Sequence, residues 1–305
     1  MNICILGGNG YLGKKMIKEL LDDKDNHITA IYRKNSKSKN AFDGKKNIKY
    51  VVSDYNVLRD LFSKEKFDCI INFSCSYMRN GRIDDIMESN LIFPMRVLSL
   101  ATESYYNIND KDSAYTKREF EKRPLRFISI GTGLPDNFNI YTKTKKVFND
   151  TGLFFSNEYG LNFVNIKLEN YYGEDEPKDR FLPSIIEKLK NDEDIPLTRG
   201  EQLRDFVYVE DVIYAILVFV YKKHLPPFIE VPLGSGEAPS IKELVTYVKS
   251  VMKSKSELQF GKVPLRPNEP SSFANLEMYK LFGGNIKYSW KRGIKKMLKN
   301  EGYIK

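Results

Sequence analysis

A short apolar run, a glycine-spaced turn and an amphipathic helix open the chain, and together they leave few folds available. Asn2-Ile-Cys-Ile-Leu6 carries Ile3, Ile5 and Leu6, the run expected of a buried central strand. Gly7-Gly-Asn-Gly-Tyr-Leu-Gly13 follows, after which Leu12, Met16, Ile17, Leu20 and Leu21 recur at helical spacing. Gly7, Gly10 and Gly13 are three apart, and each has a physical job. The first permits a sharp turn, the second lets a pyrophosphate approach bare backbone, and the third lets the helix pack close to the strand. The leading N–H groups of that helix, and the positive end of its dipole, then face the phosphates. Asn9, Tyr11 and Leu12 lie in the same turn and are assigned to the cofactor with the three glycines. Glycine spacing alone is weak evidence; between a strand and a helix it predicts a dinucleotide site.

The alternation continues. His27–Tyr32 reads as a second strand, running into Arg33-Lys34-Asn35-Ser36-Lys37. The end of this strand lies beside the adenosine ribose, where an acid suits NAD and a cation suits the 2′-phosphate of NADP. Arg33 and Lys34, with no acid before Asp43, favour NADP(H). Read as solvated loop charges, they leave NAD(H) possible. Ile48–Asp54 is a third strand. Asp54 either accepts from the adenine amino group or caps the helix at Val57–Phe62, and Tyr55 beside it is placed on the cofactor. Phe67–Ser74 is a fourth strand whose end, with Phe73 and Ser74, lies over the pyrophosphate and ribose, because ligands gather at the carboxyl ends of such strands.

A long helix is expected from Ile83 to Ser104, with a kink at Pro94 and a polar Asn90 in an apolar setting. The charged stretch from Tyr105 to Pro124 reads as an inserted loop with one short helix and suggests no function. Leu125–Ile130 and Leu161–Lys167 are the fifth and sixth strands. Strands and helices alternating through short connections argue an α/β, Rossmann-type doubly wound parallel sheet. The pattern loosens near Gly173. Residues 1–170 are therefore expected to form the cofactor domain, with some later segments returning to it. Residues 171–305, including a strand at Ile229–Val231, are expected to form a smaller α/β lobe for substrate.

Composition narrows the partners. A chain of 305 residues with 41% apolar content can bury a real core, and a net charge of +9 points to anionic ligands. The lysines are scattered, and no arginine-rich arm, zinc-ligand pattern or RNA-binding signature accompanies them, so nucleic acid and metal are not expected. Cys4, Cys69 and Cys75 fall in or beside predicted strands and read as free thiols of a reducing compartment. The glycine turn comes too early for a signal peptide, and no apolar run approaches about 18 residues, so no membrane span is expected and the cytoplasm is the expected location.

Tyr141 and Lys145 carry the chemistry. Four residues apart, they share one helix face. A phenol with a reference pKa near 10 is a poor acid–base group at neutral pH, and a neighbouring ammonium stabilises its phenolate. The lysine can also grip the nicotinamide ribose. Thr132, at the end of the neighbouring strand, can hold the substrate oxygen beside Tyr141. The three together would pass a proton to a carbinol oxygen as hydride moves to or from a nicotinamide.

With these residues the chain resembles the extended short-chain dehydrogenase/reductases, the NAD(P)-dependent sugar-nucleotide epimerase, dehydratase and reductase group. The resemblance covers nearly the whole chain. It rests on Gly7/Gly10/Gly13, Asp54, Thr132, Tyr141/Lys145, Asn170-Tyr-Tyr-Gly173 and Arg204-Asp-Phe-Val-Tyr-Val-Glu-Asp211. It implies that Arg204 and Arg266 bind the pyrophosphate of a nucleotide-diphosphate sugar and that Asn170 contacts its phosphates. It also implies a homodimer through the helices at Ile83–Ser104 and Tyr141–Phe155. Two departures narrow the reaction. The 4,6-dehydratases follow their Thr with an Asp-Glu pair, where this chain has Gly133-Leu134. The 3,5-epimerase/reductases need a catalytic Cys and His, and the histidines here are His27 and His224, neither placed for catalysis. A C4 reductase or a C4 epimerase remains. Ser129–Pro135, Lys167–Gly173 and Arg266-Pro-Asn-Glu-Pro270 are most similar to the reductases that make CDP-3,6-dideoxyhexoses such as abequose and paratose. A dinucleotide-sensing protein on the same fold is a third reading, and it would have no need of a Tyr–Lys proton donor.

Overall fold

The computed structural model describes residues 1–33, 40–77, 82–106 and 124–305. In chain order its strands are β1 Asn2–Leu6, β2 His27–Tyr32, β3 Ile48–Val52, β4 Cys69–Asn72, β5 Arg126–Ile130, β6 Asn162–Leu168, β7 Asn170–Tyr172, β8 Ile195–Leu197, β9 Phe206–Tyr208, β10 Phe228–Leu233 and β11 Leu258–Phe260. Its helices are α1 Tyr11–Leu20, α2 Tyr55–Lys64, α3 Ile83–Met87, α4 Phe93–Tyr106, α5 Ile140–Tyr159, α6 Phe181–Lys190, α7 Val209–Tyr221, α8 Ile241–Met252, α9 Glu277–Leu281 and α10 Trp290–Asn300.

The chain divides into two units. The first is residues 1–166 with 216–231; the second is residues 167–215 with 232–305. The first is built on a seven-stranded sheet in the order β10-β6-β5-β4-β1-β2-β3. The five pairings from β3 to β6 are parallel, in the registers Ile5↔Ala30 and Ile71↔Ile128, for example. β1 to β4 and β5 are almost entirely sealed from solvent except β3, as the unbroken apolar runs of a parallel sheet covered on both faces require. Strand order reverses between β1 and β4, so the carboxyl ends of these two strands mark the topological switch point where a ligand is expected. Cys4 and Cys69 are buried in β1 and β4. Burial pushes both thiols up, Cys69 to about 12, so they behave as small apolar groups.

Two elements differ from expectation. Ile229–Val231 joins the central sheet as its outer strand β10 and not a substrate lobe. Phe163 N–H donates to Pro227 O at 2.7 Å, and the Arg126 guanidinium reaches the carbonyls of Phe219, Val220 and Lys222. The helix expected from Ile83 is interrupted by a π-turn at Glu88–Ile92, upstream of Pro94, which lies in the first turn of α4. Pro94 has no N–H to return to the Asn90 carbonyl, and a widened turn absorbs that missing bond before the regular helix resumes. Lys34 and the heart of the 105–124 insertion fall outside the described residues.

The second unit is smaller-scaled. β7 pairs with β9 and β8 with β11, both in parallel; α10 packs on β9, and α8 packs against α6 and α10. Ser240 opens α8 with a reciprocal capping box to Glu243.

Candidate functional site

The glycine turn takes the shape its spacing predicts. Gly7, at φ +76°, closes β1 in the left-handed region, and its N–H donates to Ile31 O at 2.9 Å. Gly10 N–H donates back to Gly7 O at 2.8 Å, and α1 starts with no side chain capping it. A Cβ on Gly13 would stand 2.4 Å from Gly7 O and 2.9 Å from Gly8 Cα, so only glycine lets the helix approach this closely. The result is a bare helix N-terminus behind a tight turn, which fits a pyrophosphate. Leu12 is buried, so its side chain belongs to the core and its part at this turn falls to backbone. Asn9 is buried too and donates to Asn40 Oδ1 at 3.1 Å. The ring of Tyr11 lies under the Lys15 ammonium. Arg33 is exposed just beyond β2. Asp54 caps α2, its Oδ1 accepting from Asn56 N–H at 3.0 Å and Val57 N–H at 3.3 Å. Its carboxyl group and Tyr55 remain exposed at the end of β3.

At the switch point the loop after β4 comes against this turn: a Cβ on Gly7 would be 3.1 Å from the Phe73 carbonyl carbon. Asn72, fully buried at the end of β4, accepts from both the backbone N–H and the hydroxyl of Ser74. Lys145 then reaches this loop from α5, donating to Ser74 O at 3.3 Å and to Ile130 O at 2.9 Å. It ties the ends of β4 and β5 together with only 6% of its surface exposed. Burial pushes its pKa down, with the Cys75 thiol pulling the other way. A desolvated ammonium exerts a stronger field on its surroundings than a hydrated one. Two of its three donors are spent on these carbonyls, leaving one for a ribose or a phenol.

Helix α5 presents Tyr141 one turn before Lys145. Asn139 and Thr142 form a capping box at its start, and Thr142 also donates to Asp136 O, which fixes the first turn on which Tyr141 stands. Thr132 closes the neighbouring β5 and accepts from Leu134 N–H at 3.2 Å, a local turn that leaves its hydroxyl proton for another acceptor. The structure thus brings Gly7, Gly10, Gly13, Phe73, Ser74, Thr132, Tyr141 and Lys145 to the carboxyl ends of β1, β4 and β5, within the first unit.

Two further residues belong here. Asn90, in the π-turn, is fully buried. It accepts from Ser76 N–H at 2.8 Å, donates to Ser76 O at 3.0 Å, and donates to Thr144 Oγ1 at 3.5 Å. It fastens the post-β4 loop to α5. Its one sequence signal is polarity in an apolar helix, which reads as structural. Tyr77 lies with its ring centroid 5.2 Å from that of Tyr141, inclined at 33°. Nothing local in the sequence marks it, since the contact joins residues far apart in the chain.

The second unit holds Asn170, Arg204 and Arg266. Asn170, at the start of β7, donates through both its backbone N–H and its side chain to Asp205 O. Arg204 is 6% exposed; it donates to Leu203 O at 3.0 Å and to Pro270 O, and pairs with the Glu269 carboxylate. Arg266 is exposed on the proline-rich turn that ends in Glu269. Asp205 is fully buried, and its carboxylate takes four donors: Ser235 N–H and hydroxyl, Gly236 N–H and Ala274 N–H. Asp211 accepts from the Lys287 and Tyr288 N–H groups. These two acids are fasteners of the lobe. Glu169 and Glu269 are charged groups around Arg204 that sequence reasoning did not single out.

Among the described residues no cluster of His, Cys, Asp or Glu could hold a metal, and no helix is long and apolar enough to cross a membrane. The sequence model of the NAD dependent epimerase/dehydratase family matches residues 3–227. A protein of Salmonella typhimurium named CDP-abequose synthase is 28% identical over 97% of each chain. Among solved structures, the UDP-glucose 4-epimerase of Thermotoga maritima, with UDP-glucose, superposes at a TM-score of 0.80 and 19% identity over 98% of each chain. The UDP-glucuronic acid 4-epimerase of Bacillus cereus, with UDP-glucuronic acid and NAD, does so at 0.79 and 15% over 98% of each chain.

Proposed function

This chain belongs to the NAD-dependent epimerase/dehydratase family, and on that footing we propose that it is an NADPH-dependent reductase of the C4 carbonyl of a nucleotide-diphosphate 4-keto-deoxysugar. A CDP-linked sugar destined for surface polysaccharide is favoured. The likeness that carries this reading is to the protein named CDP-abequose synthase, over 97% of both chains. The absence of an acid pair after Thr132 speaks against dehydration.

Gly7, Gly10, Gly13, Phe73, Ser74 and Lys145 would hold the dinucleotide, with Asn9, Tyr11, Asp54 and Tyr55 towards its adenosine end. When bound and reduced, the nicotinamide supplies hydride. The chain's own groups handle the proton and the orientation. Thr132 donates its hydroxyl proton to the substrate oxygen. Tyr141 delivers the phenolic proton to that oxygen as charge builds on it, and the Lys145 ammonium stabilises the phenolate left behind. Asn170, Arg204 and Arg266 would take the phosphates of the nucleotide.

The family's name favours a second reading, a C4 epimerase that keeps NAD bound and needs no reductant. One assay separates them: CDP-, dTDP-, GDP- and UDP-4-keto sugars with NADPH or NADH, followed by cofactor absorbance. Stoichiometric NADPH consumption is expected; interconversion of C4 epimers with no net consumption would replace the reductase by the epimerase. Arg33→Ala is expected to raise the KM for NADPH about tenfold and leave that for NADH unchanged, as loss of one charged contact to a 2′-phosphate requires. Equal effects on both would return Arg33 to a solvated loop charge.

We read the working form as a homodimer through α4 and α5, where Met95, Val147, Leu153 and Phe154 are each more than a third exposed. Sedimentation velocity is expected to show a dimer that Phe154→Lys converts to monomer; a monomeric parent protein would end that reading.

A further inference from the structure

We propose that Glu169 is a proton-linked positioning residue of the phosphate grip: a nucleotide-diphosphate sugar binding at Arg204 takes up a proton, and the Glu169 carboxyl holds it. The inference rests on the reading of Arg204 given above.

It begins from an imbalance of charge. Arg204 is buried and pairs with Glu269, and the buried Glu169 carboxyl feels both the Arg204 guanidinium and the Asp205 carboxylate of the same unit. Each carboxyl group is differently supplied. Glu269 takes the Arg204 guanidinium directly, and Asp205 takes four neutral donors. Glu169, 8% exposed in the step between β6 and β7, has the Ser272 hydroxyl at 2.8 Å from its Oε2. Ser272 is part of the same frame: its N–H donates to Leu203 O, its carbonyl accepts from Asp205 N–H, and it bridges Arg204. The Glu169 carboxyl is thus tied through one residue to the segment that carries the guanidinium.

Burial pushes this carboxyl up to about 7, and the Asp205 carboxylate pushes it the same way. The Ser272 hydroxyl, Arg204 and Lys167 pull it down. In the free protein the group is therefore part ionised near neutrality. A diphosphate at Arg204 brings two more negative charges to the cluster and competes with Glu269 for the guanidinium. Both effects disfavour the Glu169 carboxylate and favour its neutral acid. The sign follows: the bound form keeps the proton to higher pH than the free form, so binding consumes a proton near neutrality, and affinity falls as pH rises through the free group's titration.

Calorimetry tests this without turnover. CDP-, UDP-, dTDP- and GDP-glucose, whose phosphates do not titrate near neutrality, are titrated into the protein in HEPES and in Tris at matched pH. The tightest binder is then followed from pH 6 to 9. Uptake of about half a proton at pH 7 is expected, with affinity dropping about tenfold for each pH unit by which the ligand raises the group. Glu169→Gln is expected to abolish both the uptake and the slope. Ser272→Ala, which removes the donor that favours the carboxylate, is expected to move the midpoint of the affinity curve upward. Identical apparent enthalpies in the two buffers, or uptake that survives in Glu169→Gln, would overturn the proposal while leaving the substrate reading standing. No binding by any of the four ligands, or full affinity in Arg204→Ala, would overturn the reading of Arg204 and this inference with it.

Discussion

Tyr141→Phe is expected to lower turnover at least about 10³-fold while NADPH affinity stays within a few-fold. The substitution keeps the ring, and with it the contact to Tyr77 and the place on the first turn of α5. It removes one hydroxyl, the group assigned to deliver the proton. Lys145 still ties Ser74 to Ile130, so the loop proposed to meet the nicotinamide is untouched. Loss of turnover with intact cofactor binding, read by absorbance decay against a fluorescence titration of NADPH, separates a chemical role from a structural one. A Phe variant that turned over at the parent rate would remove Tyr141 from the mechanism, and the sensor reading would regain ground.

Gly13→Ala should disrupt the opening turn, the other end of the proposed cofactor site. The added methyl would meet backbone at 2.4 Å and 2.9 Å, and backbone at a turn held by Gly7 and Gly10 hydrogen bonds cannot give way as a side-chain tip can. Either α1 moves off β1 or the turn opens, and both would spoil the uncapped helix start proposed to meet the pyrophosphate. We expect about 2–4 kcal/mol of lost stability and at least about 100-fold weaker NADPH binding, measured by denaturant unfolding and by fluorescence titration. Parent-like binding would mean that the dinucleotide does not lie along this turn.

What the sequence disclosed, it disclosed through local periodicity. The β1–turn–α1 unit, the strands at 27, 48, 126 and 162, and the helix carrying Tyr141 and Lys145 are set by spacing over a few residues, and they stand where expected. What escaped is non-local. β10 joins β6 although about 60 residues separate them in the chain. Asn90 has meaning only once Ser76 and Thr144 are beside it. Glu169 gives one signal, an acid ending an apolar strand, and its significance depends on Ser272, about a hundred residues away. Asp54 shows the intermediate case: its capping role is legible locally and present, while any contact to adenine concerns a partner outside the chain.

The return of residues 216–231 to the first unit has a consequence for how this protein can be made and cut. A fragment ending near residue 170 would retain every glycine of the opening turn and the whole Tyr–Lys pair, and yet lack its outermost strand. Arg126 would lose three carbonyl acceptors, Asn162 two, and Asn149 and Asn165 the shared Glu230 carboxylate. On the ribosome, the nascent first unit must therefore wait, with one sheet edge open, until some sixty further residues have emerged, most of which belong to the second unit. Modular engineering of this chain has to graft both stretches at once, because the first unit is not one continuous piece of the polypeptide.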